Sequence, residues 1–373
     1  MRTTARLALA GVAALAATAL FASPALASPP QQSAAPVFVQ TDALSGNSVV
    51  ALDRAADGSL HTAGTYATGG LGGALTGSVV DHLASQGSLT YDRGLLYAVN
   101  AGSNTVTVFA VRGDHLIRRQ VVASGGNFPV SVTAHGNLVY VLNARSGGVV
   151  QGYVRAGDFL IRIPAWNRSL GLNAAQTPEF TSTPGQVAFT PSGSQLVVTT
   201  KGNGSSIDVF AVNRFGGLSA QPVKNVEPGA VPFAVTFDAG RHLVVAEAGT
   251  NAVGTFTVNA NGTLTPIAQL ATAQAATCWI AGTGSTFYAS NAGSASLTGA
   301  RDPGDGSLAA IGNTATDPGT VDGSVTSDGH FLYVQTGANG IVDGFRINAN
   351  GSLTPVGSVT VPGAVGGEGI AAL

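Results

Sequence analysis

Apolar and polar positions alternate along most of the chain in short runs, and the runs are broken by Gly, Asn and Asp rather than by long polar stretches. Such short runs bounded by turn residues predict β-strands. The clearest unit is "VNANGTLTPIAQ", starting at Val258, which returns almost unchanged as "INANGSLTPVGS" from Ile347. Asn-Gly between alternating segments is a hairpin signal, because both central residues of a type I′ turn need positive φ. The form x-Gly-Ser/Thr-Leu occurs at Asp57-Gly58, Asn261-Gly262, Asp305-Gly306 and Asn350-Gly351. Weaker equivalents are "RGDHL" around Asp114, "AGDFL" around Asp158 and "FGGL" around Gly216, giving seven turns about 44 residues apart except at two longer intervals.

A second series runs in step. Short β-branched stretches centred on Leu89, Val132, Val187, Val235, Ile280 and Val325 each lead into a strand such as "LLYAVN", "LVYVLN" or "FLYVQ". The first hairpin, "VFVQT" then "SVVALDR", has no such stretch ahead of it, whereas the C-terminal "GGEGIAAL" has the form of one and nothing follows it. A four-strand repeat of this length predicts a β-propeller, since no single sheet buries both its faces. The expected fold is all-β: seven four-stranded antiparallel blades, with the ring closed by the C-terminal strand, Ile370 at its middle, joining blade 1. Closure of this kind removes an open sheet edge.

The N-terminus reads differently. Arg2 and Arg6 precede an apolar run at 7–21 and the small-residue site Ala25-Leu26-Ala27, the pattern of a bacterial-type secretory signal peptide, shorter than the roughly 20 residues of a membrane span. The expected organisation is therefore a signal peptide at 1–27, a flexible lead-in at 28–36 and one propeller domain at 37–373, secreted to the periplasm or beyond. Cys278 is the only cysteine, so internal disulfides are excluded and core burial must hold the fold. A net charge of -2 with 10% charged residues argues against nucleic acid, which is gripped through clustered basic charge. No membrane insertion, no cofactor and a monomer are expected.

In a blade whose strands run from the axis outward, the loops between second and third strands share one face with the crossings to the next blade. Both long intervals fall in such crossings, at 70–87 and 163–185, and insertions on one face of a repeat array mark a binding face. The loops there carry Gln40, Asp42, Asn100, Asn104, Asn143, Arg145, Lys201, Glu247, Asn291 and Gln335. Asn serves hairpins by bonding its own backbone, but turns have no need of a charge. Arg145, Lys201 and Glu247 therefore form the candidate polar site, with Glu247 as the catalytic general base and Asn100, Asn143 and Asn291 as ligand-binding candidates. His82 and Trp166, in the two crossings, join them as ligand contacts; the other histidines fall in turns of the opposite face or near an outer strand. No His, Asp or Glu cluster has metal-ligand spacing, and no "GxSxG" elbow occurs.

The strands "GSLTYDRGLLYAVNAGSNTVTVFAV", "PGQVAFTPSGSQLVVTTKGNGSSIDVFAV" and "VPFAVTFDAGRHLVVAEAGTNAVGTFTVNANGTL" resemble the seven-bladed lactonase-type propellers, which include 6-phosphogluconolactonases and carboxymuconate cyclases. The resemblance covers essentially all of the chain after the leader and implies a hydrolase or isomerase of small lactones. It implies an Arg-His pair opening one inner strand and a Glu ending the next. Here Glu247 is kept, but Pro232-Phe233-Ala234 stands at the Arg-His place. Losing those cations removes the anchor of a phosphorylated sugar lactone and argues against that substrate. The remaining expectations are a lactone or sugar-acid ester opened at the crossing-bearing face, or a carbohydrate or protein partner held there without chemistry.

Overall fold

The computed structural model describes residues 34–373; the expected signal peptide at 1–27 and residues 28–33 lie outside them. Seven four-stranded antiparallel sheets form the blades of a propeller. The strands nearest the axis are Ile370–Ala372, Leu89–Asp92, Pro129–His135, Val187–Phe189, Pro232–Phe237, Thr277–Gly282 and Thr320–Val325, for blades 1 to 7 in turn. Six of these are the stretches expected from the second repeat series. The seventh is the tail.

Blade 1 is assembled from both chain ends. Val37, Phe38 and Val39 pair with Ala372, Ala371 and Ile370, Gln40 N donates to Gly369 O at 2.8 Å, and Leu373 N donates to Pro36 O at 3.1 Å. The first strand thus spans Ala34–Gln40, beginning ahead of the expected boundary at Val37 because Ala34 pairs with Arg54 of the next strand.

Each blade buries both faces of its middle strands against its neighbours, which is why strands such as Leu95–Asn100 are buried throughout, whereas the outermost strands are largely exposed. Phe38 and Ala51 of blade 1 meet Leu96 and Phe109 of blade 2, Val197 and Val209 of blade 4 meet Val235 and Val245 of blade 5, and Tyr333 and Val342 of blade 7 meet Val50 and Leu52 of blade 1. Each such buried aliphatic or aromatic side chain contributes about 1.5–3 kcal/mol, the main source of stability in a chain without disulfides.

The repeated hairpin glycines have a packing reason as well as a turn reason. Tyr140 Oη donates to Gly216 O (2.5 Å), Tyr288 Oη to Gly351 O (2.9 Å) and Tyr333 Oη to Gly58 O (2.7 Å), in each case from one blade to the outer turn of the next. Gly58 has φ +94°, and a Cβ there would enter the Phe331 ring. The turn is therefore left-handed and pressed flat against the next sheet.

Removal of residues 366–373 leaves blade 1 without its axial strand and reopens the edge of Ala34–Gln40. The truncated chain is expected to lose its cooperative melting transition, or to aggregate, when followed by far-ultraviolet circular dichroism on heating. A melt matching the full chain would refute closure by the tail as the stabilising element.

Candidate functional site

The two long crossings fold over one mouth of the channel and onto each other. The second is shorter than expected, because the outer strand of blade 3 runs on through Phe159–Ser169, absorbing extra residues in a bulge between Arg162 and Asn167. The chain then turns into a single helical turn at Glu179–Ser182. Glu179 Oε2 accepts from Thr76 N of the first crossing at 2.7 Å. Arg145 grips the same carboxylate with Nε (2.6 Å) and Nη2 (3.2 Å), while its guanidinium lies 4.3 Å from the Phe128 ring centroid. The Arg145 hydrogen bond holds the Glu179 carboxyl down to about 2.

Lys201 is the second clasp. Its stem is buried, and Nζ donates to Ala84 O (2.6 Å) of the first crossing and to Phe180 O (2.6 Å) and Thr183 Oγ1 (3.1 Å) of the second. All three ammonium hydrogens have acceptors. The ammonium also lies 5.1 Å from the Phe233 ring centroid. Burial lowers its pKa to about 7, against an opposing pull from Asp81.

Below this cap the first crossing continues down the axis. Asp81 accepts three backbone N–H bonds, from Leu83 and Ala84 on Oδ1 and from Ser85 on Oδ2, at 2.8–2.9 Å. Gln86 then reaches across the ring to Ile280, donating to its O at 2.8 Å and accepting from its N at 2.9 Å, and Trp279 Nε1 donates to Ser85 O at 2.7 Å. The crossing is a plug pinned to the inner strand of blade 6.

A cavity of about 260 Å³ lies between this cap and blades 5 and 6. Its walls are Val79, Val80, Phe180, Val231, Phe233 and Trp279, with Ala248, Ala276, Ala292 and Cys278 setting its width, and Asp81 and Lys201 are the ionisable groups facing it besides the Cys278 thiol. Phe233 and Trp279 pack at 4.9 Å between centroids. Burial pushes the Cys278 thiol up to about 12, so it remains protonated and behaves as a small apolar group.

Beside the cavity, where plug and closing tail meet, four carboxyls share a buried space: Asp42, Asp81, Asp322 and Glu368. Asp42 Oδ1 accepts from Gln40 Nε2 (2.6 Å) and its Oδ2 from Glu368 N (2.8 Å). Glu368 Oε1 accepts from Ser88 N (3.3 Å) and its Oε2 from Ser85 Oγ (3.2 Å). Desolvation outweighs these bonds. It raises Asp42 to about 8, Asp322 to about 7 and Asp81 to about 6, and Glu368, facing the other three, stands well above an ordinary glutamate. Among the described residues no group of three or more His, Cys, Asp or Glu side chains is arranged to hold a metal ion, and no helix is long and apolar enough to cross a membrane.

The residues singled out in the sequence are therefore distributed. Lys201 faces the cavity; Arg145 binds Glu179 at a neighbouring cleft lined by Asn173 and Asn203. Glu247 is buried at the end of Leu243–Glu247 and its Oε2 accepts from Thr250 Oγ1 (2.9 Å) and Gln269 Nε2 (2.5 Å). It does not line the cavity. Asn100, Asn143 and Asn291 hold the same register position as Glu247, each ending a second strand opposite the first residue of the third. Asn100 Nδ2 bonds Thr107 Oγ1 (2.9 Å), Asn143 Nδ2 bonds Ser124 O (3.2 Å), and Asn291 Nδ2 bonds Thr298 Oγ1 (3.0 Å). His82 is half-buried in the first crossing, its N donating to Gly366 O of the tail at 2.8 Å, and burial lowers its pKa. Trp166 is on the outer strand rather than in the crossing, stacked on Tyr140 at 6.3 Å. Asp81, Phe233 and Trp279 were not singled out as site residues; the signal for Asp81 lay beside His82 in "VVDHLAS", where an Asp ahead of small residues caps a turn.

Fold and site together define a seven-bladed β-propeller with a capped apolar cavity at one mouth. No protein-family model and no curated protein matches the sequence. Among solved structures, a candidate 6-phosphogluconolactonase of Bacteroides fragilis has 19% identity and a TM-score of 0.70, over 92% of this chain and 99% of that one. The periplasmic gluconolactonase of Pseudomonas aeruginosa has 17% identity and a TM-score of 0.71, over 90% and 98%. Virginiamycin B lyase of Staphylococcus aureus is more distant, at 13% identity and a TM-score of 0.55 over 78% and 90%. At such identities the likeness is one of fold.

The carboxyl cluster makes stability depend on pH in an unusual direction. In the unfolded chain these groups titrate near 4; folded, they hold protons to higher pH, so folding takes up protons. Stability is then full below the unfolded values and is lost as pH rises through about 6 to 8. Lys201, lowered to about 7, opposes this only above that pH. The melting temperature is expected to rise as pH falls from about 7 to about 5, by about 1.4 kcal/mol of stability per pH unit for each proton taken up. Glu368→Gln should flatten the slope in calorimetric scans; a wild-type melting temperature that falls over that window would contradict the assignment.

Proposed function

We propose that this chain is a lactonase-like propeller that opens a small lactone or ester in the cavity under its cap. The observation that carries the reading is the placement of Asp81 and Lys201 in the wall of one largely apolar cavity, both tuned by burial toward neutrality; two titratable groups poised in this way support a reactive site. Asp81 Oδ2 takes one backbone N–H and keeps a lone pair for a water. Asp81 accepts a proton from that water as its oxygen bonds to the carbonyl carbon. The ring C–O bond then breaks and the leaving oxygen takes the proton, giving a hydroxy acid. Lys201, its hydrogens engaged, stabilises the developing oxyanion through its field. The leader-type segment supports action outside the cytoplasm. A second reading, binding without chemistry, is favoured by one fact: every Lys201 donor and three of the Asp81 lone pairs are already in use.

The test is acid release from a panel of lactones. Asp81 must be ionised and Lys201 protonated, so kcat/KM is expected to peak between about pH 6 and 7 and to fall on both sides. Asp81→Asn should lower it by roughly a hundredfold or more, while Glu247→Gln, altering a hairpin contact, should leave it nearly unchanged. Loss of turnover with Glu247→Gln alone would move the base to Glu247. No release from any lactone by the folded wild type would favour the binder.

A further inference from the structure

The chemistry of the cavity wall limits what enters it. Apart from Asp81 and Lys201, its polar side chains are engaged within the protein. Ser78 Oγ donates to Asp81 O, Thr181 Oγ1 donates to Pro178 O (3.2 Å), and the indole N–H of Trp279 is taken by Ser85 O. The Cys278 thiol is held neutral by burial. Beyond that ionisable pair, what remains toward the cavity is carbon: the Phe233 and Trp279 rings, Phe180, and the aliphatic faces of Val80 and Val231. A sugar ring carries a hydroxyl on nearly every carbon, and each would give up hydrogen bonds to water without finding a replacement. An alkyl chain gives up nothing and gains by leaving water. The rim agrees with the wall, since Val79 at the entrance is 75% exposed, placing an apolar side chain where a ligand would first touch.

We propose that the cavity accepts an aliphatic lactone: a lactone ring bearing an alkyl chain, with the ester toward Asp81 and Lys201 and the chain along Phe180, Val231 and Phe233. This rests on the assignment of the cavity as the lactone site and goes further by excluding sugar lactones as the preferred class. Ala248, Ala276 and Ala292 supply the room for the chain, so they set the length accepted. Phe233, in the inner strand of blade 5, and Trp279, in that of blade 6, supply the apolar floor.

The experiment uses the fluorescence of Trp279. The chain has two tryptophans, and Trp166→Phe leaves Trp279 as the only reporter, at the cavity wall. The protein is titrated with δ-lactones bearing butyl, hexyl and octyl chains and, in parallel, with glucono-δ-lactone. The alkyl lactones are expected to shift the emission saturably. Each added methylene should tighten half-saturation by about threefold to fourfold, the factor for moving one CH₂ out of water, until the cavity is full. Ala292→Phe should abolish the response and turnover together; if it fails to fold, Ala248→Leu narrows the cavity at another lining position and should shorten the longest chain accepted. Tighter binding of glucono-δ-lactone than of every alkyl lactone, blocked by the same substitution, would overturn the aliphatic assignment and leave the lactone site in place. No response to any lactone, with turnover unaffected by Ala292→Phe, would remove the site itself.

Discussion

A ring of sheets has an inner as well as an outer edge, and the inner edge is the harder one to satisfy. Each axial strand turns a row of N–H and C=O groups toward a channel too narrow for another strand, and buried backbone groups left unpaired are costly. Here side chains and the plug take their place. Val187 N donates to Ser131 Oγ, Phe189 N to Thr133 Oγ1, Val235 N to Gln186 Oε1 and Ala372 N to Ser324 Oγ. Val132 N donates to Gly87 O, and Gln86 pairs with both backbone groups of Ile280. The first crossing thus descends into the channel because the axial edge needs it.

That requirement brings charge where water cannot follow. A plug that feeds hydrogen bonds to the axis must itself be fixed, and Asp81 fixes it by gathering three N–H groups of one turn. The closing tail meets the same point, where Glu368 lies between two glycines: Ser88 and Leu89 leave no room for a Cβ at Gly369, and the Gln40 carbonyl crowds one at Gly367. Ring closure, plug and cavity therefore share a small set of buried acids. The arrangement keeps Asp81 poised near neutrality, but it does so at a cost in stability above neutral pH. The raised Asp81 carboxyl and the weakened latch have one cause, desolvation around the axis.

The repeat made the fold legible, since hairpin glycines and β-branched stretches recur in every blade and the tail lacks a partner of its own. Even the hydroxyls of "SVTAH" and "SVTSD" were a visible pattern, with Ser131, Thr133 and Ser324 serving the axial edge. The candidate site was only partly legible. Face sorting by loop type placed the long crossings and Lys201 on one mouth, because that follows from strand order. Side-chain partners do not follow from it. Arg145 and Glu179 are 34 positions apart, Gln86 and Ile280 are 194 apart, and nothing local announces either pair. Glu247 read as conspicuous through its charge, yet its register is that of Asn100, Asn143 and Asn291, where the side chain serves a hairpin. Phe233 and Trp279 read as core, and they do pack together; only the cap, laid over them by two distant insertions, makes their exposed carbon a wall.

The location of the cavity bears on how far likeness to other propellers can reach. Blades repeat the same hydrogen-bonded sheet, so a ring superimposes on other rings at sequence identities too low to preserve any particular side chain. The cap does not repeat. It arises from two insertions that meet through Arg145, Glu179 and Lys201, and it contributes Val79, Val80, Asp81 and Phe180 to the cavity. Blade 4 contributes Lys201, and blades 5 and 6 contribute the apolar floor, including Phe233, where the resemblance called for a cation. Ligand chemistry is thus decided by residues on which the shared fold places little constraint. A shared ring can therefore carry a largely apolar mouth where most polar groups of the wall are satisfied within the protein, as Ser78, Thr181 and Trp279 are here.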